Sequence, residues 1–323
     1  MFHFFNIIML ASMVMNSNQL LCISPLTDCS RENVSFHLYT SDDKEPHELI
    51  LNDPETLKHA KFNRGADFKF IFHGYTQSKD TPMMAQIRHE YFKDEEWNII
   101  YIDYHPLAHQ GCYYGSAVPS APQIGRCAAS LLKQLFNIRS EVTIDQFHFI
   151  GFSLGAQICA QVSKHLRPLR IPRITGCDPA FPGFFGGTQD SIDILNKQHA
   201  DFVDVIHTNM GVSGVYLSDA HYDIYADDGT AQPGCYKNPV CCHARALQIF
   251  TESINSSVQF IAVKCLSYYL WFSVRSCSTD GESRIVVGEH CSPPESDDEM
   301  GIYQFNTNYQ SPFALGPPTT WYG

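Results

Sequence analysis

Phe147-His148-Phe149-Ile150-Gly151-Phe152-Ser153-Leu154-Gly155-Ala156-Gln157 decides the fold. An apolar, β-prone run meets Gly-x-Ser-x-Gly, and a helix-forming segment follows. That order is what a nucleophile elbow requires: a serine on a tight strand-to-helix turn, its hydroxyl exposed. Neighbouring backbone comes close at such a turn, so the positions two before and two after the serine must be glycine. A pentad of this kind arises by chance in about one chain in ten of this length. Its context therefore has to carry the reading.

The flanking strands supply that context. Ser35–Thr40 alternates as an early strand. Phe68–Phe72 is an aromatic, β-branched run that stops at His73-Gly74, and Trp97–Tyr104 is the next strand. Arg173–Asp178 and Asp201–His207 follow the elbow. Helices are expected over Met83–Phe92 and Ile124–Ile138, the latter with Ala128, Leu131, Leu132 and Leu135 on one face. Strands alternating with helices predict an α/β fold with a mainly parallel sheet covered on both faces. Ligands on such sheets bind beyond the carboxyl ends of the strands. His73-Gly74-Tyr75, Ser153 and Asp178 all fall there.

The chain has 323 residues, 44% of them apolar, 17% charged, and a formal net charge of −12. These are the proportions of a globular protein, and the charge disfavours nucleic acid and anionic membranes. Residues 1–24 read as a signal peptide, although no Lys or Arg precedes the apolar core and cleavage falls anywhere from 17 to 24. The remainder, 25–323, reads as a single domain. No other stretch is long and apolar enough to span a bilayer. Twelve cysteines behind a secretory start predict disulfides and an extracellular location. Cys127 and Cys159 fall on expected helices and read as buried thiols. Asn33 and Asn255 head Asn-x-Ser sequons and are glycosylation candidates. Glu295–Glu299 reads as a linker or an exposed turn.

A serine hydroxyl is a weak nucleophile at neutral pH unless a histidine takes its proton, and the histidine needs a carboxylate to orient it. In this fold the order along the chain is Ser, Asp, His. Ser153, Asp178 and His243 satisfy it. Asp178 alone would read as a turn residue; Pro179 after it favours a fixed turn. His243 follows Cys241-Cys242, and a disulfide beside it would hold the loop that carries the imidazole. A zinc site with Cys235, Cys241 and Cys242 is the competing reading, but thiols in an oxidising compartment pair with one another, so no metal and no cofactor is expected. His105 and His109 read as loop residues, and His148 as packing. The oxyanion donors expected are the amides of Leu154 and Tyr75, with Gly74 admitting the backbone.

Taken together, the chain from about Cys29 to Gly316 resembles the pancreatic-lipase family of secreted α/β-hydrolases. The resemblance rests on His73-Gly74-Tyr75-Thr76, Ile102-Asp103-Tyr104, Gly151–Gly155, Asp178-Pro179-Ala180, Phe202–Asn209, and Gln232-Pro233-Gly234-Cys235 leading to Cys241-Cys242-His243. It implies a triad of Ser153, Asp178 and His243, oxyanion donors at Tyr75 and Leu154, and disulfides Cys29–Cys112, Cys235–Cys241 and Cys265–Cys277. Phe152 and Gln157 stand where the family often has histidine, and Cys177 where it usually has leucine. The family's C-terminal β-sandwich, which binds colipase, is not expected in this chain. The lid, closed by Cys235 and Cys241, is reduced to five residues, too few for an amphipathic helix of two turns. That combination is similar to insect-type and venom-type phospholipases A1. It implies cleavage of the sn-1 acyl ester of phospholipids at a membrane or micelle surface, without colipase. A neutral triacylglycerol or galactolipid lipase is the alternative enzyme. A non-catalytic lipid-binding or yolk-type protein is the alternative of another class.

Overall fold

The computed structural model describes residues 28–41, 45–93, 96–184, 193–274, 277 and 283–317. The expected signal peptide lies outside them. Eleven described strands form one sheet: β1 Ser35–Tyr39, β2 His47–Leu49, β3 Phe68–Phe72, β4 Asn98–Asp103, β5 Phe147–Phe152, β6 Ile171–Cys177, β7 Ala200–His207, β8 Tyr222–Ala226, β9 Ile261–Lys264, β10 Arg284–Val286 and β11 Gly301–Phe305. Their order is β10-β9-β11-β8-β7-β6-β5-β3-β4-β1-β2. The run from β4 through β11 is parallel, and the edges at β1, β2, β9 and β10 are antiparallel. This is the α/β-hydrolase architecture that the elbow and its flanking strands predict.

The helices are α1 Pro54–Lys58, α2 Pro82–Tyr91, α3 His105–Ala108, α4 Tyr114–Ala117, α5 Ala121–Ile138, α6 Leu154–Leu166, α7 Pro239–Ser253 and α8 Tyr268–Val274. Two large cores follow from the two faces, beside a smaller cluster of Met210, Tyr225, Cys265, Trp271 and Ile302. One packs Leu57 of α1, the apolar stripe of α5 and nearly all of α6 against Phe68, Phe70, Phe72 and Phe149. The other packs Met84 and Ile87 of α2 and Ala246, Leu247, Ile249 and Phe250 of α7 against Ile71, Tyr101 and Ile150. Alternate residues of β3 and β5 therefore enter opposite cores, as the two-residue period of a strand requires. Central strands buried on both sides read as continuous apolar runs, and every residue of β3, β4 and β5 is buried.

Cys29 bonds Cys127, not Cys112. The stripe of α5 turns Cys127 toward the N-terminal segment, with the two Cα atoms 5.4 Å apart, inside the range a disulfide spans. Cys127 is therefore not a free thiol, whereas Cys159, Cys177, Cys242 and Cys291 are buried thiols. Cys235 pairs with Cys241 and Cys265 with Cys277. The acidic run from Glu295 to Glu299 is no linker; it is an exposed turn that feeds β11 into the sheet beside β8.

Candidate active site

Ser153 has φ 54° and ψ −117°, a conformation that a side chain adopts only when its surroundings hold it there. They do. Its N–H donates to Cys177 O at 3.0 Å, and its carbonyl accepts from Ala156 and Ala180, both at 3.1 Å. The elbow glycines are sterically obligatory. A β-carbon on Gly151 would fall 2.5 Å from Ala156 Cα, and one on Gly155 2.1 Å from the Phe72 carbonyl oxygen. So β5, β3 and α6 converge tightly and present Ser153 at the start of α6.

Asp178 follows β6 and is fully buried, with φ 44°. Its Oδ1 accepts the amides of Thr208 and Asn209 at 2.9 and 3.1 Å. Its Oδ2 lies 2.5 Å from His243 Nδ1. Charge-assisted bonds of this kind fix both the carboxylate and the imidazole. They also leave Nε2 as the ring nitrogen free to face the cleft, a tautomer assigned from this contact.

His243 stands on a helix, not on a loop. Asn238 caps α7 by accepting the Val240 and Cys241 amides at 3.0 and 3.2 Å, and Pro239 fills the first turn. Asn-Pro is a helix-start signal, and it stands in the sequence beside the more conspicuous cysteines. The Cys235–Cys241 disulfide ties the preceding turn, where Tyr236 and Lys237 have positive φ, to the first turn of α7.

Ser153 and His243 line one cavity of about 440 Å³ with Tyr75, Tyr114, Phe152, Pro182, Val212 and Val240. The volume is that of a small-molecule site, and the walls are mostly apolar. Among the described residues Ser153 Oγ makes no hydrogen bond to His243; such bonds commonly tighten only when substrate is bound. The backbone N–H groups of Tyr75 and Leu154 have no acceptor among the described residues. Leu154 begins α6, so its amide is one of the unpaired donors at a helix N-terminus. Hydrogen bonds hold the loop that carries Tyr75. Gln77 Oε1 accepts the Gly74 amide at 3.0 Å, Thr76 N–H reaches Ala108 O at 2.5 Å, and Tyr104 OH donates to His73 O. Burial alone would raise the Asp103 carboxyl beside this loop. The His73 ring and the His105 and Lys79 amides outweigh it, holding the group down at about 2.

Other expected residues lie elsewhere. His105 opens the short helix α3, and His109 follows it. His148, in β5, is buried within a polar network with Lys69 and Thr175 of the neighbouring strands. Asn33 Nδ2 donates to Ser30 Oγ, and Asn255 Nδ2 to Glu90 O. Among the described residues no group of three His, Cys, Asp or Glu is arranged to hold a metal, and no helix is long and apolar enough to cross a membrane. Nothing in the sequence marked Phe152 as a partner of His243; their ring centroids lie 4.8 Å apart. The Asn209–Gly214 loop over Asp178 was equally hidden.

The fold and the elbow define an α/β-hydrolase. The chain belongs to the Lipase family, whose profile matches residues 13–313. It is 30% identical over 249 residues to pancreatic lipase-related protein 2 of Cavia porcellus, covering 75% of this chain and 56% of that one. It is 26% identical over 309 residues to pancreatic triacylglycerol lipase of Mus musculus, covering 87% and 65%. It is 27% identical over 311 residues to inactive pancreatic lipase-related protein 1 of Canis lupus familiaris, covering 88% and 65%. The chain spans a little over half to about two thirds of the length of these relatives.

Proposed function

We propose that the chain is a secreted carboxylester hydrolase of lipids, acting as a phospholipase A1. The observation that carries the reading is the placement of Ser153 and His243 in one apolar cavity, with His243 Nδ1 2.5 Å from the buried Asp178 carboxylate. Ser153 Oγ attacks the sn-1 ester carbonyl while His243 Nε2 takes its proton. Asp178 stabilises the resulting imidazolium. The Tyr75 and Leu154 amides receive the oxyanion, and their lack of other acceptors supports that role. His243 then protonates the departing glycerol oxygen. Water, deprotonated by the same imidazole, cleaves the acyl-enzyme and frees Ser153. No step calls on a metal.

The phospholipid assignment is supported by the cover over the site. Between Cys235 and Cys241 the chain makes one tight turn and enters α7; that segment is too short to fold over the cavity as a helix of two turns, which favours a substrate with a bulky polar head group. Triacylglycerol is the second substrate class, favoured by relatives named for it. Secretion is supported by the disulfides, which persist in oxidising compartments. Purified protein is assayed on sn-1-labelled phosphatidylcholine and on triolein. Release of the sn-1 acyl chain, abolished in Ser153→Ala, is expected. Turnover of triolein alone reverses the substrate assignment, and no Ser153-dependent turnover of any ester leaves a non-catalytic lipid-binding protein.

A further inference from the structure

The ten residues from Cys265 to Val274, Cys-Leu-Ser-Tyr-Tyr-Leu-Trp-Phe-Ser-Val, carry no charge. They are clipped by the Cys265–Cys277 disulfide, and the last seven of them form α8. Trp271 is the inward anchor. It is 1% exposed, its ring lies 3.9 Å from that of Tyr225, and its N–H donates to Gln304 Oε1 at 2.8 Å. The outward side chains are the opposite of what a solvated helix shows. Leu266 is 79% exposed, Tyr269 83% and Leu270 55%. Single exposed apolar residues are ordinary; a contiguous set is not.

This set is continuous with the mouth of the active-site cavity. Phe272 meets Tyr216 at 6.3 Å, and the Tyr216 ring lies over Gly211, next to Val212. Val212 lines the cavity and is itself exposed, as is Val240 across the opening. An apolar strip thus runs from the rim of the catalytic cavity to a pinned aromatic helix.

We propose that α8 is a docking element that seats the enzyme on a lipid surface with the cavity facing the lipid; this rests on the lipolytic reading above. The occupant follows from chemistry. Tyrosine rings with a polar tip and an apolar body settle at the head-group level of a bilayer. A net charge of −12 gives the protein no overall electrostatic attraction to anionic surfaces, which favours attachment through an uncharged apolar face. The disulfide and the Trp271 anchor hold that face in shape, so little conformational entropy is lost on docking.

The test uses the full chain with Ser153→Ala, so that lipid stays intact, and sedimentation with phosphatidylcholine vesicles. Tyr269→Ser with Leu270→Ser is expected to lower the vesicle-bound fraction at fixed lipid at least tenfold. With Ser153 restored, the same pair of changes is expected to lower phospholipid turnover in vesicles but leave hydrolysis of a soluble short-chain ester within twofold. Tyr269→Trp in the Ser153→Ala chain is expected to bring a blue-shifted emission component on adding vesicles. Undiminished vesicle binding in the double variant, or an unshifted emission from the Tyr269→Trp chain, overturns the proposal. So does a wild-type dimer that the double variant converts to monomer, which makes the face a contact between two copies of this chain. Soluble-ester turnover separates the two readings: if it is absent in wild type, the hydrolase assignment fails whatever the vesicles show.

Discussion

A β-carbon on Gly214 would fall 2.3 Å from Asp178 Oδ1, so the loop after β7 closes on the carboxylate with no room to spare. The same loop returns Gly214 N–H to Asn209 O at 3.0 Å, and Asn209 N–H binds Asp178. Only glycine permits this approach. Gly214→Ala is therefore expected to push Asp178 away from His243. Ester turnover should fall at least about 100-fold, toward the ~10⁴-fold typical when the orienting carboxylate is lost. Because Asp178 is buried and bonded to the Thr208 and Asn209 amides, the thermal midpoint should fall as well. Unchanged kcat in a folded Gly214→Ala protein would show that Asp178 does not orient the imidazole.

Phe152 makes a second prediction. Its ring touches the His243 imidazole and also crowds Gly74, where a β-carbon would lie 2.8 Å from Cδ1. One side chain thus spaces the imidazole from the loop that carries Tyr75. Phe152→Leu keeps the apolar fill at a stability cost of about 1 kcal/mol but removes the flat surface behind the ring. A kcat roughly tenfold lower with little change in KM is expected, because small displacements of reacting groups are costly. An unchanged kcat would make Phe152 mere packing.

The central strands were legible because burial on both faces writes them as unbroken apolar runs. The later elements were not. β8 contains Asp223, whose carboxylate is buried because it receives His207 and the Ser218 and Ala220 amides; a charge in the middle of a strand hides the pattern. β9 and β10 are too short to show a period. α7 is hard to read because Cys241 and Cys242 carry metal and disulfide signals at the residues where Asn238 and Pro239 start a helix. At the site, chain order exposed Ser153, Asp178 and His243. The role of the Thr208 and Asn209 amides toward Asp178, and that of Gly214, left no trace, since backbone groups have no residue signature and their proximity exists only after folding.

The disulfides should differ in worth. Cys29–Cys127 closes 98 residues and Cys235–Cys241 only 6. In the chain-entropy account a loop of about 100 residues contributes about 4.7 kcal/mol and one of about 15 residues about 3, with less for shorter loops. Paired serine substitution at Cys29 and Cys127 is expected to lower the denaturation midpoint well below that of the Cys235, Cys241 pair. The second pair should instead change turnover, by freeing the turn ahead of His243. Equal stability losses would show that loop closure is not what the long bridge supplies.

His148 makes the fold sensitive to acid. His148 is buried and its imidazole is pushed well below the usual histidine range, first by loss of water and then by the nearby Arg173 and Lys69 charges. Lys69 Nζ donates to Nδ1 at 3.3 Å, and Nε2 donates to Thr175 Oγ1 at 2.8 Å, which in turn donates to Asp204 Oδ1. Glu289 and Tyr91 complete the surroundings. In the unfolded chain the same ring titrates near 6.5. Above that pH neither state binds the proton, and His148 is neutral toward stability. Below it the unfolded chain takes up a proton that the folded one refuses, so stability falls as pH drops, by up to about 1.4 kcal/mol per unit. Asp227 works in the opposite sense, because burial raises its carboxyl to about 6 and folding then favours its protonated form. The difference between two proteins that share Asp227 isolates the histidine. His148→Gln preserves one acceptor and one donor without a titrating group. Between pH 7 and 5 the wild-type denaturation midpoint is expected to fall more steeply than that of His148→Gln. Parallel curves would mean that His148 accepts its proton in the folded state.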